Sequence, residues 1–248
     1  MTRRILIASA MIALGAPLAA AATPTSRCEK NPAVITRLDE MGTFLRGQRT
    51  FSVRTHATTD EVLEDGQKIQ LGSTDTLEVQ RPDRLHAKFT SDRRQREFFY
   101  DGKTFTVYGP TNAYYAQVAA PPTIDGLLGR ISERYGIDLP LADLFRWGTP
   151  RSGVDDVTCA TFIGPAKIGG VMTDQFALRQ DGLDWQIWVE QGPRPLPRKL
   201  VLTTTDDAAR PQHQIALDWD LKPEVAQEDF KFVPPKTASR IEILDLGA

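Results

Sequence analysis

The side chains of this 248-residue chain best suited to metal binding or nucleophilic attack are three histidines, His56, His86 and His213, and two cysteines, Cys28 and Cys159. Their spacing argues against both chemistries. There is no H-E-x-x-H and no C-x-x-C, so zinc lacks its usual ligand pattern. His56 and His86 fall on the polar phase of alternating segments, where a solvated or cavity-mouth histidine is the ordinary outcome. The chain also lacks G-x-S-x-G, a P-loop and a G-x-G-x-x-G after a strand. Carboxylates are scattered. Asp155 and Asp156 are adjacent, so on a strand they would point to opposite sides, a poor acid–base pair. These residues predict no catalytic group, no metal and no cofactor.

The cysteines take their meaning from the first 22 residues. Arg3 and Arg4 precede an apolar run from Ile5 to Leu18, broken only by Ser9, Gly15 and Pro17, and Ala19 to Ala22 follow. A basic start, a short apolar stretch and a small-residue exit make a secretory signal peptide, residues 1–22, with cleavage near Ala22 and a mature chain from Thr23. The run is shorter than the roughly 20 residues of a membrane span. Cys28 sits behind Thr25-Ser26-Arg27, so a lipid-modified N-terminus is not expected. The expectation is a soluble periplasmic protein without a transmembrane anchor. In that oxidising compartment an even cysteine count favours a Cys28–Cys159 disulfide, closing a loop of about 130 residues. The alternative leaves both thiols free.

Residues 23–248 read as one domain. The chain is 41% apolar and 25% charged, which is ordinary for a globular protein, and the net charge of −2 gives no footprint for nucleic acid. Asn31 to Gln48 reads as a helix, with Asn31 as cap, Pro32 at the first position, and Val34, Leu38, Met41 and Leu45 on one stripe. From Thr50 the period changes to two, as in Phe51, Val53 and Thr55 or Leu85, Ala87 and Phe89. Three Asp-Gly pairs mark tight hairpins. Asp65-Gly66 lies between Phe51–Leu63 and Gln67–Gln80. Asp101-Gly102 lies between Arg96–Tyr100 and Lys103–Tyr108. Asp181-Gly182 lies between Val171–Arg179 and Leu183–Gln191. Further strands are predicted near Lys199–Thr205, Gln212–Leu221 and Phe230–Val233, for about eleven in an antiparallel sheet. Pro121-Pro122 interrupts it, and Thr123 caps a helix bearing Ile124, Leu127, Leu128, Ile131 and Tyr135. Pro140 opens a second, carrying Leu141, Leu144, Phe145 and Trp147.

Three blocks carry a family resemblance. The first is Phe99-Tyr100-Asp101-Gly102-Lys103-Thr104 with Asn112-Ala113-Tyr114-Tyr115-Ala116 and Ala120-Pro121-Pro122-Thr123. The second runs from Glu133-Arg134-Tyr135-Gly136 through Ile137-Asp138-Leu139-Pro140 to Leu141-Ala142-Asp143-Leu144. The third is Asp184-Trp185-Gln186-Ile187-Trp188 followed by Pro195-Leu196-Pro197-Arg198-Lys199. Together they resemble the predicted periplasmic proteins grouped as domain of unknown function 2092, over roughly residues 32 to 243. The resemblance implies a fold similar to the lipoprotein carrier LolA. That fold is an open, curved antiparallel half-barrel, mainly β with α, whose helices lie over the concave face. In such folds the concavity holds acyl chains, and some relatives sense envelope lipoproteins. No ligand-binding residue transfers by motif, and fold does not fix function.

The remaining features fit that frame. Phe98, Phe99 and Tyr100 are consecutive, so both faces of one strand carry aromatics, and Trp185 and Trp188 have opposite parity. Arg93, Arg94 and Arg96 cluster at a hairpin end, as a solvated turn or a dock for an acidic partner or lipid headgroup. Pro193, Pro195 and Pro197 spell a stiff connection or an exposed docking edge. The leading expectation is a non-enzymatic binder of a hydrophobic small molecule, lipid, acyl chain or lipoprotein tail. The alternatives are a module that docks another envelope protein, and, third, a hydrolase. The helical insert is expected to line the binding site through Leu127, Leu128, Ile131, Leu144 and Trp147, which share helix faces at three- and four-residue spacing. The competing reading is that these side chains close the core.

Overall fold

The computed structural model describes residues 28–139 and 141–245. The expected signal peptide of residues 1–22, its cleavage near Ala22 and the helix-opening role of Pro140 lie outside the described residues.

Helix α1 spans Pro32–Gly47, with Pro32 at its start and the Asn31 side chain accepting the Ala33 N–H at 2.9 Å. Its buried stripe is Val34, Leu38, Met41 and Leu45. Six strands follow: β1 (Thr50–Val62), β2 (Lys68–Gln80), β3 (Arg84–Ser91), β4 (Gln95–Tyr100), β5 (Thr104–Gly109) and β6 (Tyr114–Ala119). The insert holds α2 (Ile124–Tyr135) and a single turn, α3 (Asp143–Arg146). Then come β7 (Cys159–Ile168), β8 (Val171–Gln180), β9 (Leu183–Glu190), β10 (Pro197–Thr204), β11 (Gln212–Asp220) and the two-residue β12 (Ser239–Arg240). They form one sheet in the order β12-β6-β5-β4-β3-β2-β1-β11-β10-β9-β8-β7. Neighbours are antiparallel except β12 and β6. The outermost strands, β12 and β7, do not pair with each other, so the sheet is open.

All three Asp-Gly hairpins form, with Gly66, Gly102 and Gly182 at positive φ. Strands β1 and β11 pair at the middle and join two halves. Over β7–β10, α1 buries its stripe against Phe176, Leu178, Trp185, Ile187 and Val189. Over the other half, α2 buries Ile124, Leu127 and Ile131 against Phe51, Leu77, Leu85, Phe98 and Phe105. Leu200 and Trp219 touch both cores, so the helices cover the same face, called here the inner face. A Cβ on Gly42 of α1 would lie 2.5 Å from the backbone N of Gly148, so these segments pack backbone to backbone. Cys28 and Cys159 are bridged, with Cα atoms 5.4 Å apart. The bridge ties the chain before α1 to the first residue of β7.

Four details differ from the sequence expectation. Phe230–Val233 is not a strand. Gln227–Phe230 is a short 3-10 helix with Phe230 fully buried, and the Phe232 ring packs among Phe99, Tyr108 and Tyr115 at 5.1–5.3 Å. That alternation serves docking on the outer face rather than sheet pairing. It also explains the double-sided aromatics of β4: Phe98 and Tyr100 face the α2 core, while Phe99 meets the tail. Strand β7 was not expected, because it is an edge strand with Phe162 and Ile163 both exposed and Gly164 and Pro165 inside it, and so lacks alternation. The second insert helix is shorter than expected. Leu141 precedes it at φ 61°, and Trp147 leaves it with extended backbone. Strand β12 is an added twelfth strand, too short to read from periodicity.

Candidate functional site

The five residues expected to line a site divide four to one. Leu127, Leu128, Ile131 and Leu144 come together in the α2 core, and all are buried. Leu128 also borders a cleft of about 750 Å³ between α2 and residues 145–151, whose other walls include Asp125, Ser132, Phe145, Arg146 and Arg151. Trp147 turns to the other core, where its ring lies 5.9 Å from that of Trp185.

A more apolar cavity opens just beyond the end of α2. Thr123 caps α2 by accepting the Gly126 N–H at 3.2 Å, and Gly136, at φ 60°, stops it by returning its N–H to Ile131 and Ser132 carbonyls. The chain then crosses the sheet as Ile137–Leu139 and Leu141, where helical coverage has ended. Strand register decides what lies beneath. One row across the inner face is Leu217, Thr55, Asp75 and Phe89; the next is Ile215, Ala57, Ser73 and Ser91; the third is His213, Thr59 and Leu71. Between these rows and the insert is a space of about 670 Å³. Leu71, Phe89, Leu139, Leu141 and Ile215 supply its apolar walls.

Its rim is charged and mostly self-paired. Arg93 binds Glu61 at 3.0 Å, and the Arg94 guanidinium sits 5.7 Å above the Phe89 ring. Asp92 accepts the Gly72 N–H at 2.7 Å, and Asp138 completes the edge. His213 Nδ1 lies 2.8 Å from the Thr59 hydroxyl, and burial holds this histidine below its ordinary range, favouring the neutral ring.

Asp75 is the unusual group. It is only 6% exposed, on the core face of β2 between Ser73 and Leu77. The fully buried Thr55 hydroxyl donates to Oδ2 at 3.0 Å, while Oδ1 is buried without a hydrogen-bond partner among the described residues. Desolvation raises the carboxyl above its usual range, partly offset by the Thr55 hydrogen bond. Sequence reasoning passed over Asp75, yet parity contained the clue: Leu71, Asp75, Leu77 and Val79 share one face, so a carboxylate stands on an apolar stripe.

The other chemistry-bearing residues are dispersed. His56 is exposed, 3.4 Å from the Thr74 hydroxyl. His86 lies 3.3 Å from Glu78 and stacks on Phe99 at 4.5 Å. Among the described residues, no group of three or more His, Cys, Asp or Glu is placed to hold a metal ion. Trp185 and Trp188 are both buried on opposite faces, Trp188 beneath Lys199 at 4.9 Å. Residues 193–197 follow a segment held to α1 by Arg37, which donates to the Glu190 and Gly192 carbonyls at 2.7 and 3.3 Å. Among the described residues, no helix is long and apolar enough to cross a membrane.

The backbone is similar to several solved structures. The Mycobacterium tuberculosis lipoprotein LppX aligns with a TM-score of 0.49 and 12% identity, covering 79% of this chain and 100% of that one. LprF from Mycobacterium bovis aligns with a TM-score of 0.48 and 15% identity, covering 85% of this chain and 100% of that one. A LolA superfamily protein from Nitrosomonas europaea aligns with a TM-score of 0.32 and 11% identity, covering 80% and 97%. No curated protein matches the sequence. The model of one family matches residues 35–244, nearly the whole described structure, and the chain therefore belongs to that family, the predicted periplasmic proteins designated DUF2092.

Proposed function

We propose that this protein is a non-enzymatic periplasmic binder of a hydrophobic molecule bearing an acyl chain, such as a lipid or lipoprotein tail. The observation that carries this reading is the cavity of about 670 Å³ between the sheet and the insert. Its volume lies within the roughly 300–1,000 Å³ of small-molecule sites. Its walls are branched and aromatic side chains, and the driving force is apolar burial, about 25 cal/mol per Å² before association costs. In this reading the signal peptide is removed near Ala22 and the mature protein works unanchored in the periplasm.

Leu127, Leu128, Ile131 and Leu144 take a second role here. A chain longer than the cavity extends under α2 and displaces these side chains from the sheet, while Trp147 closes the far side of the insert. Helix α2 is secured at its start, where Ile124 donates to the Pro82 carbonyl at 2.9 Å and the Tyr100 hydroxyl donates to the Pro121 carbonyl. Lifting its Gly136 end would require breaking the Arg134–Asp245 ion pair at 2.6 Å.

Titration of purified protein with a fluorescent fatty acid tests this reading. Saturable binding is expected, and Leu71→Trp, which fills the cavity from a half-buried wall, should abolish it while thermal unfolding stays cooperative. Absence of binding to the wild type removes the reading. Lipid extraction after native mass spectrometry of protein taken from its own periplasm identifies the occupant. A second reading, docking of another envelope protein, rests on the open edge of the sheet, where Phe162, Ile163 and Met172 are each about half exposed.

A further inference from the structure

We propose that the Asp75 carboxyl hydrogen-bonds a carbonyl oxygen of the bound molecule, so that the cleft selects an acyl ester over a plain hydrocarbon of the same length. This inference rests on the acyl-binding reading above and adds the group that discriminates among apolar ligands.

The argument starts from an imbalance. A buried polar atom without a partner is destabilising, because it has given up water and gained nothing in return. Asp75 Oδ1 is such an atom, on a residue that lines a cavity with apolar walls. Its other oxygen is already engaged, because Thr55 donates to Oδ2. The carboxyl is therefore oriented, with one oxygen accepting and the other left over. An unoccupied polar position in an apolar cleft is the arrangement by which ligand sites choose orientation.

The surroundings decide which ligand group fits. Among the described residues, no cation pairs with Asp75. Arg93 is held by Glu61, Arg94 lies over Phe89, and His213 faces Thr59. Of the remaining ionisable groups around the cleft, Glu61 is taken by Arg93, while Asp92 and Asp138 are acidic and disfavour a negatively charged ligand group. Burial favours the protonated carboxyl, as the upward shift of Asp75 indicates. Oδ2 accepts from Thr55, so the acid proton falls to Oδ1. A protonated carboxyl with a free O–H is a donor, and its complement is a carbonyl oxygen.

The experiment uses the full mature chain and displacement of a bound fluorescent fatty acid by three probes of similar length: methyl laurate, tridecane and dodecylamine. In the wild type, methyl laurate should displace about tenfold better than tridecane, the size of one good buried hydrogen bond. Asp75→Leu should remove that ratio and leave tridecane binding in place. Asp75→Asn, whose amide still donates, should keep most of the ratio. Equal displacement by ester and hydrocarbon in the wild type overturns the proposal, as does an unchanged ratio in Asp75→Leu. A preference for dodecylamine that Asp75→Asn abolishes also overturns it, since the carboxylate would then be a cation site. If the wild type fails to bind the fluorescent fatty acid itself, the acyl-binding reading fails first and the proposal with it.

Discussion

The two halves of the inner face start from the same material and end differently. Both are antiparallel strands with alternating apolar side chains, and both are covered by one helix. Under α1 the face is closed: sixteen helical residues lie along β7–β10, and Leu38 and Met41 are essentially inaccessible. Under α2 coverage stops after twelve residues at Gly136, while β1, β2 and β3 continue past it. The uncovered rows change character with position. Val79 and Leu77 are fully buried, Asp75 is a buried carboxyl, and Leu71 is half-buried at the cavity wall. A hydrophobic space in this fold thus comes from mismatch between helix length and strand length. It needs no special lining sequence.

Four measurements break or sharpen that comparison. The largest effect belongs to the α1 half. Reducing the Cys28–Cys159 bridge should lower stability by up to about 5 kcal/mol in the chain-entropy limit, read from urea unfolding with and without reductant. Unchanged unfolding would mean that the bridge does not secure this half. Next, Leu38→Ala under α1 and Ile131→Ala under α2 should each cost about 2–5 kcal/mol. Leu71→Ala at the cavity wall should cost about 1 kcal/mol or less yet weaken fatty-acid binding. Equal losses at all three positions would erase the distinction between filled core and open wall.

Gly42→Ala should then cost about 1–3 kcal/mol, because the added methyl meets the Gly148 backbone rather than a side chain that can rotate away. Unchanged thermal unfolding would mean that the 147–148 segment moves freely relative to α1.

The smallest effect is a pH dependence. The folded protein raises Asp75 above its unfolded value, so the protonated form is favoured by folding. Its contribution is complete below the unfolded pKa and is lost as pH rises through the raised folded value. Wild type should therefore lose stability relative to Asp75→Asn as pH climbs from the acidic side to neutrality. Parallel pH profiles for the two proteins would show that Asp75 is not desolvated.

Much of this was legible along the chain. The Asn31 cap, the Pro32 start and the α1 stripe needed only local rules, and so did the three Asp-Gly hairpins. The Cys28–Cys159 bridge was the one intramolecular pairing open to two cysteines. Strand β7 was not legible, since an edge strand exposes both faces and shows no period of two. Phe230 and Phe232 were misread because alternation records which side chains are covered. It cannot say whether sheet partners or a docked tail does the covering. Helix spacing put Leu127, Leu128 and Ile131 on one face, and they pack together in the α2 core, but Trp147 went to the other core once α3 ended after one turn.

The sequence by itself determined the period of α1, α2 and most strands, the Asp-Gly turns and the helix caps, which cysteines could pair, and the parity that set Asp75 on an apolar face. These depend on neighbours a few residues apart, or on a count. Only the tertiary structure decided that Thr55 meets Asp75 across β1 and β2, that His213 and Leu71 share a row two strands apart, and that α2 ends short of them. The physical reason is that register and helix placement are set by packing between residues far apart in the chain, such as Thr55 and Leu217. At that distance no local propensity acts, and the burial of whole faces selects the arrangement.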